Sequence, residues 1–510
     1  MDDKIIVTNL GRLKAKYGLS GAAKIKAAVK KLAAADKLRG LDTRLIALDD
    51  AAAMKKLKAP PVTKAADPKQ NKEAIDAVCK KLSPDYLVIL GAPDVIPHQD
   101  LKNPVFDPPE EPDQFALSDL PYACEAPYSR SPENFTGPSR VVGRIPDLTG
   151  SNDPSYLIGL LDTATNSKSL PVSEYLRYHS ISAKVWEAST RLSLDNMFGS
   201  NADLHLSPKK GPKWATNQVG RRVHFINCHG AEATSQFFGQ SGQSFPIAHE
   251  AKLVKGKISE GTVASVECCY GAQLYDSSVL GDGPPICNTY LEGKAYGFFG
   301  STTIAYGPAE GNGGADLICQ FFVLQVLGGA SLGRAALEAQ QQFIASAPQM
   351  DPTDVKTMAQ FILLGDPSIH PVSVVAPQTA IAAGTRAGKS AGDAVDRGGR
   401  RQQLHAKGMW LAKNQPVATG SGTKKRSSSV DASLKKIADK VNVKVNRTMS
   451  FQIKRGVVPK SKMAKAITPT AFHVALGVAP MKKARTPQVV AVVAKEVAGK
   501  IVSFRALHRR

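Results

Sequence analysis

The chain has 510 residues, 43% hydrophobic and 22% charged, which excludes a wholly disordered polymer and allows about two to four domains around a large core. The net charge of +22 is unevenly placed: residues 371–510 carry 28 Lys+Arg against 5 Asp+Glu, a net +23, whereas the 38 basic and 39 acidic residues of 1–370 leave −1. No run approaches the ~18 apolar residues of a membrane span, and MDDKIIV does not read as a signal peptide.

Along the chain, KIIVTN near Ile5 predicts a strand, 20–38 a helix with Ala, Ile, Val and Leu on one face, and TRLIALDD from Thr43 a second strand. Residues 71–82 predict a helix capped by Asn71, followed by the strand DYLVILGAPD. Residues 103–138, rich in Pro, Asp and Glu, predict a long surface loop. RVVGRIP (strand), 154–164 (helix), YHSISAKVW, RRVHFINC, GTVASVEC and KAYGFFGS (strands) follow, and helices at 314–327, 332–345 and 353–364 close the unit. Strands that are apolar throughout and alternate with helices predict a mostly parallel sheet covered on both faces. From residue 372 the composition shifts. Residues 372–429 predict a flexible basic linker, and 430–510, with VNVKVNRTMSFQI and PQVVAVVAKEV, a small basic module.

Two motifs carry chemistry. HFINCHGAE ends an apolar strand at Cys228, followed by His229-Gly230. Ligands of an open α/β sheet bind beyond the carboxyl ends of its strands. The glycine allows close backbone approach, so its N–H can serve an oxyanion. GTVASVECCYG ends the next strand at Cys268-Cys269. A cysteine there is a nucleophile if a histidine lies beside it, and otherwise a buried small apolar side chain. His229 and Cys268 are 39 residues apart on successive strands, so parallel strands would place both at one edge. A competing motif, Gly329-x-Ser331-x-Gly333, has the spacing of a hydrolase nucleophile elbow but reads better as a turn between helices. The seven cysteines are irregularly spaced, with no Cys-x-x-Cys and no His-Glu-x-x-His, so a reducing cytoplasmic setting with no metal and no cofactor is expected.

These residues resemble the gingipain family of cysteine peptidases, whose fold is shared by caspases, legumain and separase. The family pattern is strand-His-Gly, then strand-Ala-Cys-x-x-Gly, matched here by Cys228-His229-Gly230 and Glu267-Cys268-Cys269-Tyr270-Gly271. YGFFGSTTIAYGPAEGNGGADL, FILLGDPSIHP, VVGRIPD and DYLVILGAPDVIP resemble further family segments, so the likeness covers residues 85–371, with 1–84 as part of the same unit. It implies a caspase-like three-layer α/β sandwich, to which the composition adds a basic C-terminal extension. It also implies an endopeptidase acting on protein or peptide substrates through a thioester acyl-enzyme. Cys268 would be the nucleophile by Cys-x-x-Gly spacing and His229 its partner, with Gly230 and Cys268 N–H as the oxyanion hole. Cys-x-Gly spacing, as in caspases, would select Cys269 instead. The resemblance further offers Glu187 to orient the histidine and Asp195 to grip a basic substrate side chain. The alternatives are a silent scaffold whose basic tail binds a polyanion or acidic protein, and a Ser331-dependent hydrolase.

Overall fold

A computed structural model describes residues 3–108, 110–373, 391–420, 426–454, 470–479 and 488–510. Ten strands form the central sheet: β1 Lys4–Thr8, β2 Thr43–Ala47, β3 Tyr86–Leu90, β4 Val142–Ile145, β5 Tyr178–Ala183, β6 Leu204–Ser207, β7 Val223–Asn227, β8 Val263–Val266, β9 Gly297–Ser301 and β10 Phe361–Gly365. Their spatial order is β2-β1-β3-β4-β10-β9-β8-β7-β5-β6. Pairing is parallel throughout except at one seam, where β9 and β10 run antiparallel with Phe298 opposite Leu364. The sheet is therefore two five-stranded parallel halves pointing in opposite directions. This is the α/β architecture with a largely parallel sheet that the apolar runs predicted.

Side chains alternate across β9, and that alternation separates the two helical layers. Phe298 packs on Tyr290 of the helix Ile286–Glu292, whereas Phe299 stacks on Phe322 of the helix Ala315–Leu327. Helices Ser155–Asn166 and Leu10–Leu38 continue the Tyr290 layer; Leu332–Ser346 and Glu187–Phe198 continue the Phe322 layer. Residues of β1, β3, β7, β8 and β9 are buried without exception, which is why these segments read as unbroken apolar runs. Among the described residues no helix is long and apolar enough to cross a membrane.

Several expectations are corrected. Asn71 lies inside its helix, Pro68–Leu82; the cap is Asp67, whose carboxylate accepts from Lys69 and Gln70 N–H, with Pro68 at the first helical position. The helix expected over 353–364 stops at Gln360, and FILLG becomes β10, a buried central strand. The acid-rich segment 103–138 is not a surface loop. It contains the strand Phe115–Ser118, paired with Gln99–Lys102, and its acids Asp107, Glu111 and Asp119 are buried. Asp119 meets Arg144 of β4 at 2.5 Å, and Glu111 meets Lys356 at 3.3 Å. Within the stretch read as a linker, residues Ala391–Asn414 form a helix, and Leu404 O accepts from the Gln341 side chain at 2.8 Å. Residues 374–390, 421–425 and the basic stretch MKKARTP lie outside the described residues, as does nearly all of KRGVVPKSK.

The basic module is built into the body. Strands Val417–Thr419, Lys444–Lys454, Thr470–Ala479, Gln488–Val497 and Lys500–Arg509 form an antiparallel sheet. Its sixth strand is Tyr306–Gly307 from the loop after β9, with Tyr306 opposite Arg509 and Gly307 opposite His508. Arg510 N–H then donates to Ala305 O at 2.9 Å. The segment 508–510 thus lies along the edge where the two motifs end.

Candidate active site

β7 and β8 are adjacent and parallel, so Cys228-His229-Gly230 and Glu267-Cys268-Cys269 emerge side by side. Gly230 is required by contact: a Cβ there would lie 1.8 Å from Cys269 O. Tyr270 adopts φ +55°, a left-handed conformation uncommon for a side chain of this size, and turns the chain sharply after Cys269. Its hydroxyl donates to Asp113 at 2.8 Å, and Asp113 also accepts from Ile304 N–H at 2.8 Å. The segment 103–138 therefore braces this edge.

The imidazole of His229 is held in one tautomer. Its Nε2–H donates to Gln240 Oε1 at 2.7 Å, and Gln240 presents that oxygen because its own amide N–H donates to Gly242 O at 3.1 Å. Nδ1 is left as the basic nitrogen. Trp186 and Phe245 flank the ring, at 4.2 and 5.2 Å between centroids. Burial lowers the His229 pKa to about 4, and Arg510 and Arg509 add to the effect, so the ring is neutral at pH 7.

The two cysteines face different surroundings. Strand alternation turns Ser265 and Glu267 toward the helix Ala315–Leu327, and Cys268 toward the opposite layer. There Cys268 Sγ accepts from Cys228 N–H at 3.4 Å and donates weakly to Ile226 O at 3.9 Å. Burial drives the Cys268 thiol pKa far up, with Cys228 beside it. Cys269 lies past the strand end. Its Sγ accepts from Ala305 N–H at 3.2 Å and donates to the carbonyl of Arg510. Burial also raises the Cys269 thiol pKa, while Arg509 works against that shift. Among the described residues no hydrogen bond joins His229 to either cysteine; the segment 509–510 contacts Cys269 and lies near enough to His229 for its charge to act on the ring.

Two expected helpers lie elsewhere. Glu187 opens the helix Glu187–Phe198 and pairs with Arg191 at 2.8 Å, one turn along, while Gln240 takes the position beside the histidine. Asp195 is exposed and accepts from Asn201 at 2.8 Å. Ser331 has no elbow around it: it follows the helix Ala315–Leu327 rather than a strand, is fully buried, and caps Leu332–Ser346 by accepting from Arg334 N–H. Among the described residues no three or more His, Cys, Asp or Glu side chains are grouped to hold a metal ion.

An acidic pocket that the motifs did not announce adjoins the site. Asp316 is fully buried, accepts from Ser189 Oγ at 2.9 Å, and forms a two-oxygen pair with Arg510 Nη2 at 2.8 and 2.9 Å. The Arg510 guanidinium lies 4.3 Å from the centroid of the Trp186 ring. Glu267 is buried beside Asp316, and both effects hold its pKa well above the usual carboxylate range.

No protein-family model matches the chain, and no curated protein matches it. Among solved structures, one described as "Structure of Protease" is 14% identical, covers 99% of this chain and 96% of its own, and has a TM-score of 0.43. The Saccharomyces cerevisiae separase–securin complex is 13% identical over 45% of this chain and 14% of that one, with a TM-score of 0.28. The likeness goes no further than general architecture, so the chemistry is read from the residues.

Proposed function

We propose that the chain is a cysteine endopeptidase of the caspase-like type, with His229 as base and Cys269, rather than Cys268, as nucleophile. The observation that carries this reading is the placement of Cys269 Sγ past the end of β8, against the main-chain oxygen of Arg510, beside His229-Gly230. Cys268 supports it less well: its Sγ lies on the Tyr290 side of the sheet, accepting from Cys228 N–H, although both cysteines are fully buried.

In this mechanism, Nδ1 of His229 takes the Cys269 proton as sulfur attacks the scissile carbonyl. Gly230 and Cys269 N–H then stabilise the oxyanion, and the imidazolium returns the proton to the departing amine. Water hydrolyses the thioester that remains. Both groups are neutral in the folded chain, so proton transfer accompanies attack rather than preceding it. Hydrolysis of a reporter-peptide library by Cys269→Ala and Cys268→Ala tests the assignment. Loss in the first with retention in the second is expected, and the reverse would restore Cys268.

A silent scaffold is the second reading, favoured by the lack of a His229–cysteine hydrogen bond. In that case the excess positive charge of 371–510 would bind a polyanion, weakening as salt rises. Absence of turnover against the library, together with salt-sensitive heparin retention, would favour it.

A further inference from the structure

The segment 508–510 touches the site as a bound peptide would. It runs antiparallel along Tyr306–Gly307, presents the Arg510 carbonyl to Cys269, and sends the Arg510 side chain into the Asp316 pocket. The pocket is shaped for that side chain. Asp316 is held from two other elements by Ser189 (2.9 Å) and Asn227 (3.3 Å), and a Cβ on Gly307 would lie 2.4 Å from Arg510 Nη2. The Trp186 ring neighbours both the His229 imidazole and the Arg510 guanidinium, which ties the pocket to the site. Yet the fit is incomplete. Arg510 Nε and Nη1 have no hydrogen-bond partner among the described residues. A buried charge kept for stability alone is normally satisfied on all sides. An occupant that leaves its own donors unmet is held less tightly than the space allows, as a displaceable ligand is.

We infer that the segment 508–510, the end of the strand Lys500–Arg509, is an intramolecular occupant of the cleft: Arg510 anchors it in the Asp316–Trp186 pocket, and its departure is what opens Cys269 to an external chain. This rests on the reading of the cleft given above, and it names the contact that regulates it. Native-state alkylation of the full chain with iodoacetamide, read by peptide mapping, tests it without any reliance on hydrolysis. Cys269 should label slowly in the unaltered protein. In Arg510→Ala, and independently in Asp316→Asn, it should label at least about tenfold faster, as expected when one member of a buried charge pair is removed. Cys124, buried far along the chain, serves as the unfolding control. Unchanged Cys269 labelling in both variants would overturn the inference. So would acceleration matched by Cys124 in both, since the segment would then be a fixed part of the core. If Cys269 is released selectively but no peptide is cut, the occupant stands and the peptidase reading falls.

Discussion

In one half of the sheet, β1, β3 and β4 end at Asn9, Gly91 and Asp147, and the polar groups there close on one another. Lys16 reaches Asp94 at 2.6 Å and Asp147 at 2.7 Å, Tyr17 donates to Asp147, and Ala92 N–H donates to the same carboxylate. In the other half, β7 and β8 end at His229 and Cys269. There the imidazole and thiol are not joined by a hydrogen bond; the thiol lies against the Arg510 main chain instead, and the imidazole feels the Arg509 and Arg510 charges. Both edges are carboxyl ends of parallel strands, where ligands usually bind. Position alone therefore does not make a site. What distinguishes the second edge is a thiol and an imidazole whose neighbour, on the inference above, is displaceable.

The comparison is broken most severely in the first half. Lys4 is fully buried, 2.9 Å from Asp36 and bonded to Asp366, so Lys4→Met would leave the buried Asp366 without its cation and Asp36 with Arg39 alone, at 3.3 Å. A loss of about 3–5 kcal/mol in urea unfolding is expected. On the second edge His229→Ala should leave stability nearly intact and lower kcat by about 10²–10⁴, the range of a general base. A large stability loss with unchanged kcat would exchange the roles of the two edges.

How much of this the sequence discloses depends on whether a signal is local. KIIVT, YLVIL, VHFIN, VASV and GFFGS are buried on both faces, so composition alone marks them as strands. The two motif ends follow from that. The alternation in VASVEC bears on the choice between the cysteines: Ser265 and Glu267 share a face, which commits Cys268 to the other and leaves Cys269 beyond the strand. Spacing to Gly271 points to Cys268 instead. FILLG was hidden because it follows a well-capped helix without a break. The acids of 103–138 look solvated until Arg144 and Lys356, far along the chain, are placed beside them. Arg510 had no local signal at all, since its thiol partner lies 241 residues away.

A third test addresses the Tyr290 side of the second half. His224 Nδ1 and His249 Nε2 both meet the Tyr290 hydroxyl, at 2.8 and 2.7 Å. Burial lowers His224 to about 4 and His249 to about 3. Both bind protons more weakly folded than unfolded, where histidine titrates near ~6.5. Their neutral forms thus cost nothing above about pH 6.5, and stability falls as pH drops from there toward 4, by roughly 1.4 kcal/mol per histidine for each tenfold difference in proton affinity. Urea midpoints measured between pH 7 and 4.5 should fall. In His224→Gln and His249→Gln the slope should be shallower, and an unchanged slope would assign the pH dependence to other groups.

The smallest effect is expected at Ser331, beside the seam between the halves. Its hydroxyl caps Leu332–Ser346, whose first N–H groups otherwise have few partners: Leu332 N–H donates to Ile369 O at 2.9 Å, Gly333 N–H to Pro367 O at 3.0 Å, and Arg334 N–H to Ser331 Oγ at 3.4 Å. Ser331→Ala removes the last of these, at a cost of about 0.5–2 kcal/mol. The 3.4 Å separation is long for a hydrogen bond, which puts the expected loss near the lower end. Turnover of the reporter peptide should not change, because Ser331 is fully buried at a helix start and faces neither His229 nor Cys269. The measurement pairs a urea midpoint with kcat on the same preparation. A Ser331→Ala chain of normal stability without activity would revive the serine hydrolase and remove Cys269 from the chemistry.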